Sequence, residues 1–172
     1  IIESGLVPVV KLNEIFRQAR ESRIIVNAHR INKGMMPYLT SKDKKNDFYF
    51  IEQEDPERVL DIILRLVKDR VPSSFGFDSV NDIQVLSPMH RGVAGAANLN
   101  IKLQEALNPS GTGIIRGNRN FRVNDKVMQV RNNYEKNVFN GDIGRIIRVS
   151  TEDQEVMISF DGRRIAYDFN DL

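Results

Sequence analysis

The strongest constraint in the sequence is a pair of alternating runs on either side of Asp161-Gly162. Val156, Ile158 and Phe160 recur at every second position before it, and Ile165, Tyr167 and Phe169 do so after it. Apolar residues spaced by two turn one face of a strand toward a core. Asp-Gly tolerates positive φ at both central residues of a type I′ turn. This segment is therefore predicted to fold back on itself as a β-hairpin. Asn140-Gly141 gives a second hairpin signal of the same kind, and "DKVMQVR" reads as a further strand. No helical period survives beyond Phe121. The expectation is a small all-β barrel of four or five short strands, which needs a closed sheet or a neighbour for stability.

Upstream the pattern is different. Leu12, Ile15, Phe16 and Ala19 fall at helical spacing. Ser22 is an N-cap for a second helix striped by Ile24, Ile25, Ala28 and Ile31, with Gly34 as its stop. Asp55 before Pro56 marks another helix start, followed by Val59, Ile62, Ile63, Leu66 and Val67 on one stripe. "FYFI" (48–51) and "IQVLS" (83–87) read as strands, "VPSSFGFDSVND" as loop, and a helix spans about 94–107. Helices and strands in this alternation predict a layered α/β unit with parallel strands. The glycine-rich "PSGTGIIRGN" reads as a linker. The predicted division is an α/β part over 1–109, a linker over 110–118 and the β-barrel over 119–172.

The formal net charge of +2 decides nothing about partners, but its distribution is uneven. Residues 111–148 hold eight basic side chains against three acidic ones, and 149–172 hold two against six. The basic half lies beside Asn132, Asn133, Tyr134, Phe139 and Asn140. It reads on composition as a solvated face with turn residues, the alternative being a surface that tracks a phosphate backbone. The chain has no cysteine, which excludes disulfides, thiolate metal sites and a thiol nucleophile. No apolar run approaches the length of a membrane span, and no signal-peptide pattern opens the chain. A cytoplasmic location without membrane association is expected. The opening "IIESGLVPVV" reads as the middle of a longer protein.

No complete catalytic set is present. The chain lacks G-x-x-x-x-G-K-[ST] and G-x-S-x-G, and His29 and His90 stand alone, so no metal site is expected. Two places remain. Arg17 and Gln18 in "IFRQARESRI" end an apolar helical stripe; they are ordinary surface residues or a planar fork aimed at a phosphate. "SPMHRG" (Ser87, Pro88, Met89, His90, Arg91, Gly92) runs into the helix near 94. It is a tight strand-to-helix turn or an anion site in which the helix's first amides join His90 and Arg91.

Three segments, "LNEIFRQARESRIIVNAHRINKG", "IQVLSPMHRGVAGAANLNIKLQEALNP" and "FRVNDKVMQVRNNYEKNVFNGDIGRI", together resemble the C-terminal motor region of RecD/TraA-type helicases. These are superfamily 1 DNA helicases moving 5′ to 3′, and they include the alpha chain of exodeoxyribonuclease V. The resemblance implies part of a second RecA-like domain, of the P-loop NTPase type, followed by a small barrel like a Src-homology-3 domain. It implies that Arg17, with Gln18, meets the γ-phosphate of ATP. It also implies that 87–92 lies toward single-stranded DNA and that the barrel lies near the DNA path, where Asn132, Asn133 and Asn140 are the expected contacts. ATP and Mg2+ are the cofactors implied for the whole helicase, in DNA recombination and repair. None is expected to bind this stretch alone, which is expected not to hydrolyse ATP. Further implied partners are other subunits of a helicase–nuclease complex. Self-association through an exposed sheet edge is also expected. The alternative is a non-catalytic module that binds single-stranded nucleic acid or another helicase subunit.

Overall fold

A computed structural model describes residues 4–10, 22–39 and 46–172. The chain divides into two compact units, Ile1–Glu52 and Gln53–Leu172, taken here one at a time. The helix expected over Leu12–Ala19 lies outside the described residues.

In the first unit, α1 spans Arg23–Asn32. Ser22 caps it as its sequence predicts, accepting from the Ile25 amide at 3.3 Å. Asp47 completes the cap: it accepts from the Ser22 hydroxyl at 2.6 Å and from the Arg23 amide at 2.7 Å. These hydrogen bonds, that from Ser22 foremost, hold the Asp47 carboxyl below its ordinary value. Gly34 takes φ +70° and ends the helix. The buried Asn27 side chain imitates a strand neighbour, donating to the Tyr38 carbonyl (3.0 Å) and accepting from its amide (2.7 Å). Arg30 stacks on the Tyr38 ring at 4.0 Å.

The second unit opens with α2 (Pro56–Arg65), where Asp55 accepts from the Glu57 amide at 3.0 Å. The helix continues through a π-helical turn (Leu66–Arg70) into α3 (Val71–Phe75). Residues 71–75 read as loop in the sequence, but the helix runs through them and through Pro72. The wider π turn admits the proline, whose missing N–H would break a regular ladder, and Gly76 at φ +74° ends the helix. α4 spans Ala96–Leu107 and packs against α2, with Leu60, Val67 and Leu99 buried.

The expected strands at 48–51 and 83–87 do not form among the described residues; neither segment pairs with a strand. Among the described residues every strand pair is antiparallel and lies beyond residue 112, so the parallel sheet read from the alternation of elements is not found among them. An apolar run predicts burial, but a parallel strand also needs a partner brought in from elsewhere in the chain, and the run does not specify one.

Six strands build the β module: β1 (Gly113–Arg116), β2 (Arg119–Arg122), β3 (Lys126–Met128), β4 (Ile143–Ser150), β5 (Glu155–Phe160) and β6 (Arg163–Asp168). β1 and β2 form a hairpin, and the others a sheet ordered β3-β4-β5-β6. Val156, Ile158 and Phe160 all point into the core, joined by Val138, Ile146 and Tyr167. Ile114, Phe121 and Val127 pack on this cluster. Asp161 (φ +47°) and Gly162 (φ +81°) make the expected type I′ turn. Asn140-Gly141 does not: only Gly141 has positive φ, and the turn closes inside a longer loop through Asp142 N–H to Phe139 C=O, 3.0 Å. A bulge at Ile147 shifts the β4–β5 register, so after Ile146 it is Val149 and not Arg148 that returns to the core face. β1 lies within the stretch read as linker. Its glycines serve proximity: a Cβ on Gly113 would meet the Arg122 Cα at 2.9 Å.

Gly144 faces the core where a side chain has no room. A Cβ there would stand 2.6 Å from Ile158 Cγ2 and 2.8 Å from Phe160 Cε1. Gly144→Ala is expected to destabilise the module by about 1–3 kcal/mol through overpacking, read as a lower midpoint in urea with an unchanged slope.

Candidate nucleic-acid interface

The loop ahead of α4 is a compact turn. The Ser87 hydroxyl lies 2.9 Å from the Ala94 carbonyl and 3.1 Å from that of Met89, and it accepts from the Met89 amide at 3.3 Å. Gly92 takes φ +93°. A Cβ on Gly95 would meet the Arg91 backbone, 2.5 Å from its carbonyl carbon. The expected role of glycine, making room for backbone on backbone, therefore falls on Gly95, while Gly92 supplies the left-handed turn.

The amides at the start of α4 are not open toward an anion. Ala96 N–H donates to Met89 C=O (2.9 Å), Ala97 N–H to His90 C=O (3.1 Å) and Gly95 N–H to Gly92 C=O (3.1 Å). The loop carbonyls take three of the donors that a helix start otherwise leaves unpaired, those of Gly95, Ala96 and Ala97, so these amides are not available to the phosphate expected there. The side chains fare differently. Pro88, Met89, His90 and Arg91 are exposed, and neither the His90 nor the Arg91 side chain makes a hydrogen bond or ion pair among the described residues.

The β module offers fewer open cations than its composition suggests. Of the eight basic residues in 111–148, six are engaged within the fold. Arg116 donates to the Phe169 carbonyl at 3.0 Å, Arg122 to that of Asn108 at 2.9 Å, and Lys126 to that of Ile83 at 2.7 Å. Lys136 donates to the Ala166 carbonyl at 2.8 Å, Arg145 to that of Asn124 at 3.4 Å, and Arg148 pairs with Asp153 at 2.6 Å. Burial lowers the pKa of Lys126, with Asp78 and Asp82 acting the other way. Arg119 and Arg131 have no such partner among the described residues.

Asn132 and Asn133 brace the 129–142 loop. Asn132 accepts from the Asn140 amide (2.9 Å) and donates to the Tyr134 hydroxyl (3.3 Å). Asn133 accepts from the Lys136 amide (2.9 Å) and exchanges backbone bonds with Val138. The Asn140 side chain is exposed. The bracing presents two aromatic rings: Tyr134 is 77% exposed and meets Phe139 edge-on, centroids 6.0 Å apart. The other candidates, Arg17 and Gln18, lie outside the described residues, so no described side chain is available to test against ATP.

Sequence reasoning missed Asp125, which joins α4 to the module. Its carboxylate accepts from Gln104 Nε2 (2.5 Å), Asn108 Nδ2 (2.8 Å) and the Arg122 amide (2.8 Å). An isolated Asp between two basic strands carries no signal in sequence that distinguishes it from a turn residue.

This β module, fastened to the helix before it, is of a kind found in helicases. The family model for the ATP-dependent RecD-like DNA helicase SH3 domain matches residues 99–160. Over 155 residues, 90% of this chain, the sequence is 30% identical to the ATP-dependent RecD2 DNA helicase of Deinococcus radiodurans. The chain is a stretch of RecD-type helicase sequence, and it spans 20% of the length of that curated relative. Among the described residues, no helix is long and apolar enough to cross a membrane.

Gly95→Ala should force the 87–95 turn open. The expected cost is about 1–3 kcal/mol, with faster hydrogen exchange at the Ala96 and Ala97 amides than in the unaltered chain. Equal exchange in both proteins contradicts the close approach.

Proposed function

We propose that this chain belongs to the motor of an ATP-dependent 5′–3′ DNA helicase and contributes contacts to single-stranded DNA. In this reading residues 1–109 are part of a second RecA-like domain and 119–172 are its inserted barrel. The single observation that carries the DNA contact is the pairing of a compact turn with unengaged side chains: the 87–95 loop uses backbone donors internally and leaves the His90 and Arg91 side chains without a partner among the described residues. Phosphate is then held by side-chain charge, Arg91 ahead of His90 because a guanidinium is always protonated. Arg131, next to the exposed Tyr134 and the Asn132–Asn140 loop, supplies a second contact at which bases stack without sequence preference. Such contacts position the strand and do not specify its sequence.

The test is a titration of the chain with oligo-dT and a mixed-sequence strand at several salt concentrations. Arg91→Ala and Arg131→Ala should each weaken both complexes equally and flatten the log K against log [salt] slope by about 0.7. Unchanged slopes overturn the assignment, as does a loss confined to one sequence.

Arg17 is proposed to offset charge on the transferred phosphoryl group of ATP, with Gln18 beside it and Mg2+ bound elsewhere in the motor. The chain itself contains no phosphate loop, so it alone should not turn over ATP. In a protein carrying the whole motor, Arg17→Ala should cut DNA-stimulated turnover, by roughly 10³–10⁵-fold if Arg17 acts as an arginine finger. DNA affinity should change little. Arg17→Lys should rescue poorly, since an ammonium lacks the planar fork. Wild-type turnover in Arg17→Ala rejects the role.

A further inference from the structure

The segment 83–108 carries the 87–92 loop, and both of its flanks are tied to consecutive residues of one strand start. Ahead of the loop, the Ile83 carbonyl accepts from Lys126 Nζ at 2.7 Å. Behind it, Gln104 and Asn108 of α4 and its cap donate to Asp125. Three further bonds reinforce the second tie: Gln104 Nε2 to Asn120 C=O (2.8 Å), Asn108 Nδ2 to Val123 C=O (2.8 Å) and an Arg122 guanidinium N–H to Asn108 C=O (2.9 Å). Asp125 itself is fixed by the backbone: its amide donates to Arg122 C=O and its carbonyl accepts from Ile146 N–H, both at 3.0 Å. Ile146 is fully buried in the module's core.

We infer that Asp125 and Lys126 are positioning residues that clamp the two flanks of the 87–92 loop to the β module, so that the loop and the module present their contacts as one body. The inference rests on the proposed reading only in what the clamp is for; the clamp itself is tested without DNA. Hydrogen bonds to a charged acceptor are about twice as strong as neutral ones. Gln104, Asn108 and the Arg122 amide all donate to the Asp125 carboxylate, so each of these donors meets an acceptor. An amide in place of the Asp125 carboxylate breaks that arrangement, because its NH2 must face another donor, from Gln104, Asn108 or Arg122.

The chain has no cysteine, so pairs of spin labels can be placed on the full chain by substitution alone. One pair, Asn100→Cys with Glu152→Cys, reports α4 against the β4–β5 turn. A second, Leu86→Cys with Glu152→Cys, reports the segment ahead of the loop. All three positions are exposed. Each pair should give one narrow distance distribution. Asp125→Asn should broaden the first, and so should Gln104→Met, which leaves the Asp125 turn intact. Lys126→Met should broaden the second, and Lys126→Arg, which can still donate to Ile83, should restore it. The thermal midpoint of the β module should be unchanged in Gln104→Met and Lys126→Met, which separates positioning from loss of fold. Narrow distributions in both of these variants overturn the clamp. Oligo-dT affinity measured on the same variants judges the other reading. A broadened distance with wild-type affinity leaves the clamp standing and removes DNA from the loop.

Discussion

The buried cluster of Val138, Ile146, Val156, Ile158, Phe160 and Tyr167 is the constraint on which the β module depends. Its strands are short, and β3 is only three residues long. Ladder hydrogen bonds alone give such strands little net stability, because water competes for the same groups. Burial of the alternating β5 side chains fixes the register, since a slip of one residue would turn Val156, Ile158 and Phe160 outward. Gly144 belongs to the same constraint: its missing side chain is the space in which Phe160 and Ile158 lie. The rim of the cluster is satisfied by polar contacts, as where the Tyr167 hydroxyl donates to Gln129 at 2.9 Å. Burial raises the Tyr167 phenol pKa, with Asp171 and Asp142 adding to the effect.

Several signals that name a local geometry are realised. Ser22 and Asp55 cap helices, and Asp161-Gly162 turns a hairpin, because each acts through its own and adjacent backbone. Where the signal needs a distant partner, it misleads. "FYFI" and "IQVLS" have the composition of strands, yet the composition does not supply the neighbour that a ladder requires. Asn140-Gly141 has the residues of a type I′ turn but sits in a loop whose ends are fixed by Asn132, Asn133 and Val138, and that geometry overrides the dipeptide. The π turn before Pro72 is of the same kind: a proline predicts a helix end, and a change of hydrogen-bond register lets the helix pass.

The candidate interface was legible in outline and not in mechanism. The "SPMHRG" turn could be located from its residues, but whether the α4 amides are free depends on where the loop carbonyls point, and sequence carries no trace of that. Charge counting failed for a related reason. Arginine and lysine are long enough to reach carbonyls elsewhere in the fold, and most of the basic residues of 111–148 do so. Lys136 reaches the carbonyl of Ala166 on β6, an outer strand of its sheet, and thereby occupies one acceptor that an added strand would use. The Arg17 and Gln18 assignments rest on the resemblance alone.

The burial of Val138 has a consequence for how the module meets proteases. The 129–142 loop is long and mostly exposed, the usual profile of a cleavage site. A protease must draw several residues of its substrate into extended form, and here that means withdrawing a fully buried valine from the cluster formed by β4, β5 and β6. The opening that would admit the enzyme is then no local fraying; it carries much of the free energy of unfolding the whole module. A surface loop of this kind survives digestion for as long as the core beneath it does.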